Sequence, residues 1–172
     1  MPPPDGRSQG VVHLAEVSGR SCAEDVGMTN DTTAHLHDID LASRLLAAIN
    51  DRNFDRASAL LAPEYRSEWP DAELDLNGSF EREITMMTGL PDTRFGIDSV
   101  SSIGDGRVLV EATVTGTHTG VLQLPHGVVL QPSGRSVSLQ FVLLMRFVDG
   151  RLVQERLFFD HHELIHQLTS AA

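Results

Sequence analysis

The order of periodicities along this chain predicts an α+β fold. Apolar residues recur at helical spacing up to Pro91, strand-like runs rich in Val and Thr follow, and a tight hairpin leads into a short last helix. Helices first and antiparallel strands later place the helices on one face of a sheet. With 172 residues and ordinary apolar content, the chain suits one domain able to bury a core or a pocket.

Residues 1–33 mix Pro, Gly, Ser and charge without sustained periodicity and read as a flexible N-terminal tail, leaving 34–172 as the folded domain. A helix is expected over 34–50, where Leu41, Leu45, Ala48 and Ile49 form a buried stripe. Asp51 is the expected cap of a second helix carrying Phe54, Ala57, Leu60 and Leu61, closed by Pro63. A third follows Asn77 or Ser79, with Phe80, Ile84 and Met87 on one face and Gly89-Leu90-Pro91 as its stop. Arg94 to Ile103 then reads as a strand, Gly104-Asp105-Gly106 as a turn, and Arg107 to Thr119 as a long strand. Gly120 to Arg135 is loop-like, with Val128-Val129-Leu130 suited to a brief pairing. Val137–Phe147 and Leu152–Phe159 flank Asp149-Gly150, two residues that tolerate positive φ and so mark a hairpin. Asp160 stands where that strand ends and a helix begins.

Composition narrows the function. A net charge of -11 argues against a nucleic-acid surface, which needs clustered positive charge. All 13 basic residues are Arg, a bias that fits a GC-rich bacterial genome, of the kind rich in secondary metabolism. A single cysteine, Cys22, excludes an internal disulfide and any CxxC metal motif. No apolar run reaches membrane-spanning length, and Met1-Pro-Pro-Pro-Asp-Gly lacks the charged and apolar regions of a signal peptide, so a cytoplasmic protein with no membrane partner is expected.

Several local patterns fall in one order: Pro91-Asp92, Gly104-Asp105-Gly106-Arg107-Val108, Thr115-Gly116-Thr117-His118-Thr119-Gly120, Pro132-Ser133-Gly134-Arg135, Asp149 to Glu155, Phe159-Asp160, and Leu164 with Gln167-Leu168. This series resembles the SnoaL-like polyketide cyclases, of the nuclear transport factor 2-like fold, over about residues 36–169. The resemblance implies a cone-shaped curved antiparallel sheet wrapped by N-terminal helices, with a deep apolar pocket and a short C-terminal helix. It also implies a homodimer packed through the outer sheet face, and a hydrophobic small-molecule substrate. The implied activity is cofactor-free acid/base chemistry without a metal, an intramolecular aldol closure of a polyketide ester in which the aspartate matching Asp160 is the acid/base.

The residues themselves allow two roles for Asp160. On a strand Arg156, Phe158 and Asp160 share a face, each about 6.6 Å from the next. A carboxyl beside Phe158 in a dry pocket would have its pKa raised and could protonate a carbonyl. Asp is equally a preferred helix N-cap. His118 matches the histidine of the family's Gly-Thr-His-Thr-Gly pattern and is the second catalytic candidate, either bonding a substrate carbonyl or orienting Asp160; a bond to the backbone at a strand end is the plainer role. Gln140 and Arg146 interrupt an apolar strand on one face, cavity or outer surface, and with Trp69, Arg156 and Phe158 complete the candidate pocket residues. Tyr65 and Trp69 follow the second helix, where folds of the resembled family rim the pocket, and core packing or a lid is their plainer role. Many relatives carry a histidine where this chain has Glu68, so no second catalytic group is assigned there.

His162-Glu163-Leu164-Ile165-His166 spells the HExxH zinc-protease string, yet Gln167 to Ala172 offer no third ligand, and Leu164, Ile165 and Leu168 explain the helix as packing. The rivals to the cyclase are a non-catalytic binding or dimerisation module of the same fold, or an isomerase, dehydratase or epoxide hydrolase using the same pocket.

Overall fold

The structure, a computed structural model, describes residues 25–170. Residues 1–24 of the expected tail lie outside the described residues, whereas 25–33 belong to the first helix, α1 (Asp25–Asn50), which starts ahead of the expected boundary. Leu41, Ala42, Leu45, Leu46, Ala48 and Ile49 of α1 are buried, at the spacing of a helix face. Asn53, not Asp51, caps α2 (Phe54–Ser58), its side chain accepting from Arg56 N at 2.9 Å.

The expected second helix is cut short there. Leu61–Trp69 is a strand, β1, which turns into β2 (Ala72–Asp75). Pro63 is accommodated because β1 pairs irregularly between Leu61 and Arg66, and a proline without an N–H fits such a break in the ladder. Asp75 caps α3 (Leu76–Gly89) through Gly78 N at 2.9 Å. β3 (Arg94–Gly104) and β4 (Arg107–Thr117) then form a hairpin. The short pair β5 (Leu122–Gln123) and β6 (Val129–Leu130) lies in the loop before β7 (Ser136–Val148), β8 (Arg151–Phe158) and α4 (His161–Thr169). Asp105, Gly106, Asp149 and Gly150 have φ of 53°, 67°, 49° and 74°, as two-residue hairpins require.

The main sheet runs β2-β1-β8-β7-β4-β3. It is mixed, not wholly antiparallel: β1 and β8 pair in parallel, Arg66 beside Gln154 and Glu68 beside Arg156. No short turn joins those two strands, so hairpin geometry does not dictate their direction. Register shifts in β3 and between Arg146 and Phe147 bend the sheet. On β7 the odd-numbered residues Val137, Leu139, Phe141, Leu143, Met145 and Phe147 are all buried, and they face α1 and α3 across the core. Each such side chain stabilises by about 1.5–3 kcal/mol. Among the described residues no helix is long and apolar enough to cross a membrane.

Candidate active site

Between the sheet and helices α1 and α3 lies a narrow cavity with about 50 Å³ of free space. Its walls are mainly apolar, including Leu46, Phe80, Phe95, Leu143, Met145 and Leu157, with the polar side chains of Tyr65, Ser79, Glu83 and Glu155 among them. A second space of about 30 Å³, under Phe141, Phe159 and Leu164, shares Trp69, Glu83 and Phe95 with the first. Outside Trp69, Leu157 and Phe159 an open groove of about 310 Å³ is bordered by Glu68, Pro70, Arg156 and Phe158.

Each polar group reaches the interior by the phase of its element. Tyr65 and Trp69 lie on the odd row of β1, and Glu155 and Leu157 on the odd row of β8. On α3 Phe80, Glu83 and Met86 line the interior spaces; of the expected stripe Phe80 and Met87 pack against the core, whereas Ile84 is 49 % exposed.

Tyr65 donates its hydroxyl to Glu155 Oε2 at 3.0 Å. Burial pushes Glu155 up to about 7, against which the Tyr65 hydrogen bond acts by favouring the anion. Burial likewise pushes Glu83 up to about 8, with repulsion from Glu155 adding to it and Arg52 opposing it. Tyr65 is held above the ordinary phenol range by burial and then by the Glu155 charge, so it remains a donor. The charge on Glu155 thus disfavours ionisation of Glu83. Near neutral pH one can hold a proton while its neighbour is ionised, the condition for giving and taking protons at one site.

The other residues singled out in the sequence lie elsewhere, Tyr65 and Trp69 excepted. Asp160 is exposed, borders none of the three spaces, and caps α4 by accepting from Glu163 N at 3.0 Å. His118 is fully buried beyond the end of β4, with Nδ1 and Ser133 Oγ 3.0 Å apart. Burial holds its pKa below the usual imidazole value, and its ring borders neither interior space. Gln140 and Arg146 are exposed on the even row of β7, which answers the open question of their face: they look outward. Arg156 and Phe158 occupy the outer row of β8; Arg156 Nε donates to Glu68 Oε2 at 2.6 Å and its guanidinium lies 5.3 Å from the Phe158 ring centre. Arg156 and Phe158 share the row of β8 opposite Glu155 and Leu157, while Asp160 lies beyond the last residue of the strand.

His162 and His166 are exposed on α4, while Leu164 and Leu168 pack inward. Among the described residues no three His, Cys, Asp or Glu side chains gather as a metal site.

Sequence reasoning missed Glu155 and Glu83. Glu155 carries a visible signal, standing between Val153 and Leu157 on one strand face. Glu83 carries another, three residues after Phe80 and three before Met86.

Residues 39–168 match the family model of the SnoaL-like polyketide cyclase. No curated protein matches the chain. Among solved structures, AclR from Streptomyces galilaeus, described as a hydroxylase, is 25% identical with a TM-score of 0.68, over 80% of this chain and 99% of its own. A protein described as a SnoaL-like polyketide cyclase from Jannaschia sp. CCS1 is 22% identical with a TM-score of 0.71, over 81% and 96%. IdmH from Streptomyces antibioticus, described as a polyketide cyclase, is 23% identical with a TM-score of 0.64, over 76% and 97%. The last two likenesses fall on the fold.

Proposed function

The chain belongs to the SnoaL-like polyketide cyclase family, and on that premise we propose that it performs acid/base chemistry, an intramolecular aldol cyclisation, on an apolar polyketide-like molecule, with Glu155 as base and Glu83 as acid. One observation carries this reading: two carboxyls with pKa values raised to about 7 and about 8 share a mainly apolar cavity. Ionised Glu155, supported by the Tyr65 hydroxyl, takes the proton α to a carbonyl. Protonated Glu83 gives its proton to the acceptor carbonyl oxygen as the new carbon–carbon bond forms. The proton budget balances, since one leaves carbon and one arrives on oxygen. The small interior favours a flat reacting end held inside, with the remainder of the substrate in the groove outside Trp69. A homodimer formed through the outer sheet face is part of the reading, supported by half-exposed Val148 and Phe158 on that face.

In the family resemblance the acid/base is Asp160, and the two assignments separate in one experiment. Deuterium exchange at the α carbons of 2-tetralone, followed by NMR, reads base catalysis without knowledge of the natural substrate. The native protein should accelerate exchange, Glu155→Gln should lower the rate by about a hundredfold or more, and Asp160→Asn should keep it. The reverse pattern would return the chemistry to Asp160 and overturn the glutamate pair. Binding of 2-tetralone without exchange in the native protein would favour a non-catalytic binding module.

A further inference from the structure

Among the described residues, two buried side-chain nitrogens have no hydrogen-bond partner: Trp69 Nε1 and His118 Nε2. They are not equivalent. An imidazole nitrogen can give or accept according to tautomer, whereas an indole N–H only donates. His118 lies apart from the cavity, while Trp69 borders both interior spaces and the groove outside them.

The ring is also held from two sides. Arg82 lies over it at 5.3 Å, and Arg82 is fixed in turn by Asp71, with Nη2–Oδ2 at 2.9 Å and Nη1–Oδ1 at 3.3 Å. Phe159 meets it edge-on at 6.4 Å. A large aromatic residue so fixed, at the junction of every space near the acid pair, keeps an unused donor out of water. Buried donors are ordinarily paired, and an exception calls for a partner that arrives from outside the fold.

We propose that Trp69 is the residue that selects the substrate, its Nε1–H donating to a carbonyl oxygen of a flat, apolar ligand lodged beside Glu83 and Glu155. This rests on the cavity being the active site, and it adds a requirement which the carboxyls do not impose. The ligand must carry an acceptor oxygen on the edge it turns toward β1. A hydrocarbon of the same outline, entering by the same end, leaves the indole unpaired. Arg82 and Asp71 are then positioning residues for the ring.

The chain has one tryptophan, so its indole N–H gives a single NMR signal that needs no assignment. The protein is titrated with 2-tetralone and, separately, with tetralin, the matching hydrocarbon. The indole signal should move downfield with the ketone and not with the hydrocarbon. Trp69→Phe, followed through the backbone amides of Phe95 and Leu143, should weaken 2-tetralone about tenfold and leave tetralin unchanged. Equal movement of the indole signal with both ligands, or unaltered ketone affinity in Trp69→Phe, would overturn the assignment to Trp69 while the cavity reading stands. Binding of neither ligand would overturn both.

Discussion

Glu155 and Asp160 are five residues apart and both are carboxyls, yet the fold gives them opposite circumstances. Glu155 projects from the inner row of β8 into an apolar cavity, where burial raises its pKa to about 7 and a phenol donates to it. Asp160 stands past the end of the same strand, exposed, with its oxygen on a backbone N–H of α4. The difference teaches that the row of a strand can bury one carboxyl while a helix cap keeps another in solvent. A step of one residue along β8 exchanges the cavity for the outer face, where Arg156 meets Glu68 in the open.

The sharpest break of this comparison is the glutamine exchange at Glu155, expected to remove about two orders of magnitude or more from 2-tetralone deuteration, against a change of less than about threefold for Asp160→Asn. Asparagine caps a helix nearly as well as aspartate, so the second variant should remain folded.

Next in size is the pH profile of the same exchange. It should be bell-shaped with its maximum between the values of about 7 and about 8 that bound the pair. Tyr65→Phe removes a hydrogen bond that favours the Glu155 anion, so the rising limb should move to higher pH. An unmoved limb would detach Tyr65 from the chemistry.

Stability should follow with a definite sign. Both glutamates have folded-state pKa values above those of the unfolded chain, so the folded state binds more protons in between. Stability is therefore highest at acid pH for these groups and is lost as pH rises from the ordinary carboxylate range to about 8. Glu83→Gln should flatten that decline and raise the Tm at pH 9 by roughly 5 °C. A Tm that falls equally steeply in the variant would show that Glu83 is not a buried acid.

The smallest effect belongs to the cap. Asp160→Ala should cost about 1 kcal/mol, or roughly 2–4 °C in Tm, and Asp160→Asn almost nothing.

Where local chemistry decides the structure, the sequence was enough. Asp149-Gly150 and Asp105-Gly106 announced their hairpins because few residues accept positive φ, and Pro91 marked the change from helical to strand periodicity. Leu61–Trp69 was illegible for the converse reason. Its apolar residues extend a helical stripe, it contains a proline, and its parallel partner β8 lies some 90 residues downstream. The family pattern located the hairpin and the last helix. It ran through Glu155 without giving it a role, because periodicity reports that two rows exist and only packing says which one faces α1 and α3. The same blindness made Gln140 and Arg146 ambiguous, and on α3 it hid Glu83, a charged residue beside the apolar stripe.

The parallel neighbourhood of β1 and β8 also orders events in the making of the protein. Tyr65 emerges from the ribosome long before Glu155, and the wall it belongs to has no central partner until the last strand is translated. Long-range pairing of this kind forms late and slowly. Cleavage in the Asp149-Gly150 turn would leave Tyr65 and Glu83 on one fragment and Glu155 on the other. The acid pair is thus a property of the finished chain, and no truncation that stops before residue 151 can inherit it.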